Sequence, residues 1–367
     1  MHIAFVLPSL HGGGAEFVVR QWLSVLSNDG HEVTVYVYAR DQPRVAIPQG
    51  TAVHTYPGHW GSMRLVFMPA WLRIRIRRDT PDVVVSLLPF SNVISLIAMR
   101  VGVHSEVTLM ISERNVPSLQ VDNTKRRDQV TAWLARRLYR RANGALAISH
   151  PVATNLVSTF GVRPERVFVV PNPVVLSPDP AIDTPGPPPG DLHVVFVGRQ
   201  VKQKRPQLFL HVLAELSSRE ITVRGTVIGD GPLRESTELE SKRLGLSVSF
   251  LGWKEPWWGA VDNVDCLLLT ANVEGFANVL VEAAAAGIPS VASSRALGVA
   301  DAIVPGITGE LAMEDSPQAY AEAILRAALL DPGSTADLRS WFARFSTARS
   351  TSSLLAALQA VRGPVQS

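Results

Sequence analysis

The alternation of short apolar runs with helical periods most constrains the fold of this 367-residue chain. The first half opens with HIAFVLPSL, the loop HGGGAE and the apolar-periodic run FVVRQWLSVLSNDG. After residue 190 the same order returns as LHVVFVGRQ, VKQKRP and QLFLHVLAELSSR. A strand, a loop, a helix and a further strand make the βαβ unit of parallel sheets. The sequence therefore predicts an α/β protein made of two similar halves.

A proline-rich segment separates these halves. Residues 171–190 include eight prolines and two glycines, a composition typical of a linker or hinge. We therefore expect a first domain at 1–175, a linker at 176–190 and a second domain at 191–345. Residues 346–367 are expected to form a C-terminal helix and tail that could cross back to the first domain. Apolar strands separated by helical runs predict helices on both faces of each sheet.

Other bulk features agree with a globular protein without a membrane span. Cys266, the single cysteine, lies in the apolar run DCLLLT and is expected in a packed strand without a disulfide. The opening run HIAFVLPSL is interpreted as a strand and not as a signal peptide. The apolar stretch 83–99 is interrupted by Pro89, Ser91 and Asn92, which favours strand, turn and helix.

Basic charge is concentrated in the first half. Residues 1–185 carry 19 Lys and Arg against 13 Asp and Glu, whereas residues 186–367 carry 16 against 19. Tryptophan and phenylalanine are interleaved with this charge, and the residues concerned are Trp60, Phe67, Trp71, Trp133, Arg64, Arg73, Arg75, Arg77, Arg78, Lys125, Arg126, Arg127, Arg136, Arg137, Arg140 and Arg141. This pattern suits an anionic membrane surface. Ordinary solvated helix faces are the alternative, and no nucleic-acid module accompanies the charge.

Two carboxylates, Glu274 and Glu282, bracket the glycine and apolar residues of the segment EGFANVLVE. In a helix, eight residues rise about 12 Å. Glu274 would then lie at the helix N-terminus, where free N–H groups favour an anion such as a diphosphate. Glu282, two turns further, could accept hydrogen bonds from a vicinal diol. A surface helix with two unrelated glutamates is the alternative.

Glycines and cations follow several of the predicted strands. Gly12, Gly13 and Gly14 would let the backbone approach a ligand closely, or would form a plain turn. Arg199 and Lys204 follow the strand VVFVG, although Lys202 and Arg205 are neighbouring candidates. The segment GDGPL at 229–233 closes another strand and is expected to open a helix, with Pro232 in its first turn.

Taken in order, the segments GGGAE, PNPV, VGRQVKQKRP, GDGPL, FLGW and EGFANVLVEAAAAGIPSVAS resemble the retaining glycosyltransferases of family 4, which have the GT-B fold. The resemblance spans nearly the whole chain. It implies two Rossmann-like, doubly wound parallel-sheet domains facing a cleft. The segments SLLPFSNV, ISERNVP and LYRRANGALAIS look like bacterial family 4 enzymes that extend polyprenyl-diphosphate-linked oligosaccharides.

The resemblance also implies an activity and site residues. A hexose or N-acetylhexosamine would pass from a nucleotide diphosphate sugar, commonly UDP-linked, to a lipid-linked saccharide or other glycan acceptor. Arg199 and Lys204 would stabilise charge on the leaving diphosphate. Glu274 would contact the donor sugar or stabilise its anomeric carbon, and Glu282 would hold the ribose. The expected donor-binding backbone comes from Gly12, Gly13, Gly14, Gly231, Phe276, Ala277 and Asn278.

One segment departs from the family pattern. Many family 4 enzymes carry a histidine where this chain has Ser112, Glu113, Arg114 and Asn115. Glu113 becomes the candidate catalytic group near the acceptor, and a structural ion pair with a basic neighbour is its alternative. His11, His104 and His150 form no metal-binding pattern, and no D-x-D pair ends a strand. We therefore expect neither a metal nor another cofactor.

Other functions also occur on folds of this class. A nicotinamide dehydrogenase would show G-x-G-x-x-G after a strand and an acid about 20 residues later, and this chain has no convincing copy of either. A noncatalytic nucleotide-sugar-binding protein, a sugar-nucleotide epimerase and a phosphorylase are the remaining alternatives. The resemblance favours a glycosyltransferase on the inner face of the cytoplasmic membrane, bound peripherally and without nucleic acid.

Overall fold

A computed structural model describes residues 1–10, 14–39, 47–58, 64–99, 107–119, 126–174, 191–330 and 338–362. Their contacts divide the chain into two compact units. The N-terminal unit comprises Met1–Pro173 together with Arg344–Ser367, and the C-terminal unit comprises Val174–Ala343. The predicted linker at 176–190 lies outside the described residues.

The N-terminal unit contains a seven-stranded parallel sheet in the order β3-β2-β1-β4-β5-β6-β7. Ile3 on the central strand lies opposite Val33 on one side and Val83 on the other. The central strands are nearly continuous apolar runs because helices cover both sheet faces. The strands are β1 His2–Leu7, β2 Glu32–Val37, β3 Ala52–Thr55, β4 Val83–Leu87, β5 Thr108–Glu113, β6 Gly144–Ala147 and β7 Val167–Val169.

Among the described residues of this unit, the helices are α1 Gly14–Asn28, α2 Arg64–Asp79, α3 Pro89–Met99, α4 Arg126–Leu138, α5 His150–Ser158 and α11 Thr347–Arg362. Helix α3 contacts both α2 and α4, whereas α11 packs against α1. Leu354, Ala357 and Leu358 of α11 belong to the core around the central strands. The indole of Trp22 donates to Ser350 Oγ at 3.0 Å, and that hydroxyl donates to the Pro171 carbonyl at 2.6 Å.

The C-terminal unit contains a six-stranded parallel sheet in the order β10-β9-β8-β11-β12-β13. Its strands are β8 Leu192–Val197, β9 Val223–Ile228, β10 Val248–Gly252, β11 Cys266–Leu269, β12 Ser290–Ser293 and β13 Gly309–Ala312. Its helices are α6 Pro206–Ser218, α7 Arg234–Arg243, α8 Asn278–Ala285, α9 Pro317–Ala327 and α10 Arg339–Ala343. Cys266 is buried in β11, as expected.

These two sheets confirm the predicted pair of Rossmann-like parallel-sheet folds. Each sheet has a topological switch point, between β1 and β4 in the first and between β8 and β11 in the second. Ligands of such sheets bind beyond the carboxyl ends of the strands beside the switch point. The site residues expected to bind the donor can therefore be located relative to β8 and β11.

The helix boundaries agree in part with the sequence predictions. The C-terminal helix expected within 346–367 is α11, Thr347–Arg362, and the short helix α10 precedes it. Helix α7 begins at Arg234, so Pro232 lies in the preceding turn and not in the first helical turn. Within the described residues, no helix is both long enough and apolar enough to cross a membrane.

Candidate active site

The loop that follows β8 is bound to the loop that follows β9. Gln200, fully buried, accepts through its carbonyl from Leu233 N at 3.0 Å and donates from its side chain to the Gly229 carbonyl at 3.0 Å. A Cβ on Gly229 would lie 2.1 Å from the Gly198 carbonyl oxygen, and one on Gly231 would lie 2.6 Å from that of Gln200. Only glycine allows this approach, which explains the GDG sequence.

The end of β10 is bound to the loop that follows β9. Gly229 N donates to the carbonyl of Gly252 at 2.7 Å, so the FLGW segment is fixed to the GDG turn. Gly252 itself has a φ of +68°, a conformation that favours glycine. The carboxyl ends of β8, β9 and β10 therefore form one connected edge. Gly231, predicted to bind the donor, lies on this edge.

Two predicted catalytic residues contact each other. Lys204 Nζ lies 2.5 Å from Glu274 Oε1, and both side chains are largely buried. Lys204 comes from the loop after β8 and Glu274 from the loop after β11, so the pair bridges the switch point. A buried pair of this kind is sensitive to loss of either partner, because the remaining charge would be buried alone.

The neighbouring cations have different surroundings. The Arg205 guanidinium donates to both carboxylate oxygens of Asp315 at 2.7 Å, and this contact lowers the pKa of Asp315. Lys202 is exposed to solvent. Of the three candidates in this loop, Lys204 is the one beside Glu274. Arg199 is exposed at the end of β8, and among the described residues no acidic side chain is paired with its guanidinium.

A set of side chains fixes the Lys204 and Glu274 loops to each other. The buried Thr270 hydroxyl lies 2.7 Å from the Lys204 carbonyl oxygen and 3.0 Å from that of Arg205. Arg205 Nε donates to the Thr270 carbonyl at 2.7 Å, and Gln203 donates to the Val273 carbonyl at 2.8 Å. Sequence reasoning missed these contacts, because they join residues 65 to 70 positions apart.

The helix expected to start at Glu274 starts at Asn278 instead. Glu274 N donates to the Ala296 carbonyl at 3.0 Å, and the Glu274 carbonyl accepts from Gly298 N at 3.1 Å. These bonds hold Glu274 in an extended bridge, which a helix would break. Ala277 then turns the chain at a φ of +62°, a left-handed conformation costing about 1 kcal/mol for a residue other than glycine.

The predicted donor-binding backbone therefore surrounds the start of α8. Phe276 and Ala277 precede the helix and are buried, and Asn278 is its first residue. The first N–H groups of a helix have no intrahelical acceptor and favour an anion. Glu274 lies just before this helix start, paired with Lys204.

Glu282 lies in the second turn of α8, facing Trp257. The Trp257 indole donates to Glu282 Oε2 at 2.9 Å. Burial raises the pKa of Glu282 from 4.5 to about 7, the hydrogen bond from Trp257 opposes that rise, Glu255 adds to it, and the charge of Lys204 lowers it. The charge of Lys204 therefore acts on both glutamates of the segment. Sequence reasoning gave Trp257 no role.

Glu113 lies in the N-terminal unit, at the end of β5, and is fully buried. Its Oε1 accepts hydrogen bonds from the Tyr139 hydroxyl and, at 2.9 Å, from Asn92 Nδ2. Burial raises the pKa of Glu113 to about 7, while these two hydrogen bonds and the charge of Arg114 oppose the rise. In these surroundings Glu113 would act mainly by positioning Tyr139 and Asn92.

Arg114 extends the same buried network toward the PNP segment. Its guanidinium donates to Asn172 Oδ1 at 2.9 Å and lies 4.7 Å from the centre of the Trp22 ring. Burial lowers the pKa of Arg114 to about 9, and the neighbouring Glu113 opposes this shift. Of the predicted glycine loop, Gly14 is the exposed first residue of α1, whereas Gly12 and Gly13 lie outside the described residues.

Both units match known families of glycosyltransferases. A family model described as Glycosyltransferase Family 4 matches residues 12–177. A second, described as Glycosyl transferases group 1, matches residues 191–329. Together they span most of both units, and the chain belongs to the family 4 glycosyltransferases.

Individual proteins show the same relationship. The chain is 26% identical over 326 residues to lipopolysaccharide 1,6-galactosyltransferase of Escherichia coli K12, covering 85% of this chain and 84% of that one. It is 26% identical over 338 residues to GalNAc-α-(1→4)-GalNAc-α-(1→3)-diNAcBac-PP-undecaprenol α-1,4-N-acetyl-D-galactosaminyltransferase of Campylobacter jejuni, covering 88% of this chain and 87% of that one. The crystal structure of Anabaena HepE in complex with UDP and glucose has a TM-score of 0.73 and 20% identity, covering 97% of this chain and 98% of that one. The predicted GT-B fold and glycosyltransferase class are confirmed.

Proposed function

We propose that this glycosyltransferase moves a hexose or N-acetylhexosamine from a UDP-linked donor to a lipid-linked saccharide, with retention of anomeric configuration. The observation that carries the proposal is the contact of Lys204 with Glu274, and the effect of its charge on Glu282, beyond the ends of β8 and β11. That position is where parallel sheets of this kind bind their ligands.

The donor would use each of these groups differently. Arg199 and Lys204 offer positive charge to the diphosphate, and the start of α8 offers backbone N–H groups. Glu282, as a carboxylate, accepts hydrogen bonds from the two ribose hydroxyls. Glu274 contacts the transferred sugar. Donor binding then replaces the Lys204–Glu274 pair by contacts of Lys204 with phosphate and of Glu274 with sugar.

The proposed chemical step is the front-face transfer that the family resemblance implies. The bond between the anomeric carbon and the β-phosphate oxygen breaks, and the acceptor oxygen bonds to the same face of that carbon. The acceptor proton passes to an oxygen of the leaving diphosphate. Arg199 and Lys204 stabilise the negative charge that develops on that diphosphate, in a preorganised and partly buried site. No protein nucleophile is required.

Arg199 and Lys204 would neutralise the diphosphate charge that a divalent ion neutralises in other diphosphate sites. We therefore propose that transfer proceeds without a metal ion. The uridine base is supported by the UDP and glucose bound in the HepE structure. A lipid-linked or lipopolysaccharide acceptor is supported by the names of the Escherichia coli and Campylobacter jejuni relatives. A nucleotide-sugar donor and a lipid-linked acceptor together favour action at the inner face of the cytoplasmic membrane.

The test is a transfer assay with radiolabelled UDP-sugars, a polyprenyl-diphosphate-linked saccharide acceptor and EDTA in the buffer. Transfer with at least one UDP-hexose or UDP-N-acetylhexosamine is expected, with the product linkage showing retention. Replacing Lys204 by alanine should lower kcat by about 10²-fold, the effect of removing one group that stabilises transition-state charge.

The matched control is Lys202→Ala, which removes an exposed lysine two residues away. That variant should keep the activity of the unmodified protein. Donor binding without transfer to any acceptor would contradict the proposed reaction, and equal losses from Lys202→Ala and Lys204→Ala would contradict the assigned site. Transfer that stops in EDTA and returns with Mg²⁺ would contradict the metal-free mechanism.

A further inference from the structure

The outward side of α4 and of the short 3-10 helix Tyr139–Arg141 differs from an ordinary solvated helix face. Thr131, Ala135 and Leu138 of α4 are buried against the protein. The opposite side, here named the α4 outer face, consists of exposed residues at helical spacing. Its members are Arg126, Arg127, Val130, Trp133, Arg136, Arg137, Arg140 and Arg141.

Two apolar side chains lie among these arginines. Trp133 is 53% exposed and Val130 is 42% exposed. The Arg137 guanidinium lies 4.3 Å from the centre of the Trp133 ring, so it covers part of the indole and leaves the rest open to solvent. Exposed tryptophan next to arginine is the composition found where a protein meets the headgroup level of a bilayer.

Most of the arginines on this face have no acidic partner in the part of the chain that the structure describes. Asp128 pairs with Arg127 at 3.2 Å. Among the described residues, no acidic side chain pairs with Arg136, Arg137, Arg140 or Arg141.

Helix α7 of the C-terminal unit shows the ordinary arrangement. There Arg234 pairs with Glu238, and Arg243 pairs with Glu240. A helix face that only needs solvation carries both signs of charge, as α7 does. The single sign on the α4 outer face therefore points to an anionic partner.

Helix α2, on the other side of α3 from α4, also carries exposed apolar residues. Helix α3 contacts both α2 and α4, and α2 exposes Phe67 and Ile74. Trp71, which sequence reasoning placed in the basic and aromatic surface, instead packs against Tyr36, Tyr38 and Tyr56. Trp60 and Lys125 lie outside the described residues.

We propose that the α4 outer face docks the enzyme on a bilayer of anionic phospholipid. Trp133 and Val130 enter the boundary between headgroups and acyl chains, and the arginines on either side bind lipid phosphates. An acidic polymer would satisfy the arginines but would leave the two apolar side chains in water, so the bilayer is favoured. The inference goes beyond the proposed function, because docking requires neither sugar donor nor acceptor.

The test is cosedimentation of the full chain with two kinds of vesicle. One is made of phosphatidylcholine alone, and the other is an equal mixture of phosphatidylcholine and phosphatidylglycerol. Binding is expected only to the mixed vesicles and should weaken with added salt, since exposed charges are screened. The double variant Arg136→Ala and Arg140→Ala should weaken vesicle binding about 25-fold, because each arginine contributes about fivefold to the affinity. Trp133→Ser should weaken it about tenfold.

Matched controls lie elsewhere on the protein. Arg163→Ala with Arg166→Ala removes two exposed arginines of the same unit, and Leu239→Ser removes an exposed apolar side chain of α7. Both should bind vesicles like the unmodified protein. Transfer to a water-soluble acceptor should be unchanged in the α4 variants, which separates docking from the proposed reaction.

Two results would overturn the docking proposal. One is equal binding of the unmodified protein to both vesicle types. The other is equal vesicle binding by the α4 variants and the control variants. If the protein binds neither kind of vesicle but binds heparin through the α4 arginines, the partner of the α4 outer face is an acidic polymer and not a bilayer.

Discussion

The pKa of Glu282 gives a quantitative prediction for donor binding. The proposed role of this residue, accepting hydrogen bonds from the ribose diol, requires a carboxylate. In the protein without donor the pKa of Glu282 is raised to about 7, because burial disfavours the charged form and exposed Glu255 adds repulsion. Binding therefore competes with protonation in the range where enzymes are usually assayed.

The size of the change in donor affinity follows from the fraction of molecules in which Glu282 is a carboxylate. With a pKa of about 7, about nine-tenths of the molecules carry the carboxylate at pH 8 and about one-tenth at pH 6. The apparent Kd varies inversely with that fraction, so it should be about tenfold higher at pH 6 than at pH 8. Binding at pH 7 should release about half a proton, because the bound form is fully ionised.

Calorimetric titration with UDP-galactose and UDP-glucose measures both quantities. These nucleotide sugars are suitable ligands because their phosphate groups are diesters, whose ionisation does not change between pH 6 and pH 8. Any change in affinity with pH then comes from the protein. Proton release is obtained by repeating the titration at pH 7 in buffers with different ionisation enthalpies. The Glu282→Gln variant should bind more weakly at pH 8 and should lose the dependence on pH.

The Trp257→Phe variant tests the cause of the pKa. Its ring retains most of the packing, but the indole N–H that donates to Glu282 is lost. Because that hydrogen bond lowers the pKa of Glu282, its removal should move the midpoint of the pH dependence upward. The reasoning is refuted if the affinity of the unmodified protein is the same at pH 6 and pH 8, or if Glu282→Gln keeps the original slope.

Two further predictions concern positioning and stability. Thr270→Val should lower kcat about tenfold with little change in KM, because the hydroxyl that holds the Lys204 loop is lost. Thr270→Ser keeps a hydroxyl and should restore kcat. Equal kinetics of the two variants would argue against a positioning role for the Thr270 hydroxyl. Burial raises the pKa of Glu113 above its unfolded value, so its contribution of about 3 kcal/mol is present below about pH 4.5 and lost as pH rises through 7. Urea unfolding should therefore show a smaller loss of stability between pH 5 and pH 8 in Glu113→Gln than in the unmodified protein, and parallel curves would contradict the assignment.

The sheets could be predicted from the sequence because their signal is local. Apolar runs such as DVVVSLL and DCLLLT are continuous, and each is followed by a helical period. The glycines of GDG were recognisable as a tight turn for a similar reason. Their closeness to the backbone of Gly198 and Gln200 was not, since β8 and β9 meet only in the folded sheet.

The site could be predicted in its residue types but not in its pairings. Motif positions predict Arg199, Lys204, Glu274 and Glu282, yet the contact of Lys204 with Glu274 joins residues 70 positions apart. The helix predicted from Glu274 failed because long-range hydrogen bonds to Ala296 and Gly298 outweigh the local helical pattern. Helix propensity is a weak guide wherever tertiary contacts compete for the backbone.

The placement of α11 has a consequence for how the protein is made. A ribosome releases residues 1–173 long before Leu354, Ala357 and Leu358, although these last residues complete the core of that first segment. The C-terminal unit, by contrast, has all of its own residues by Ala343. The core of the N-terminal unit beside Trp22 therefore stays incomplete until α11 has been synthesised, which happens after the whole C-terminal unit. A chain that stops ahead of α11 would therefore be destabilised in its N-terminal unit, although it would keep every residue of the C-terminal unit.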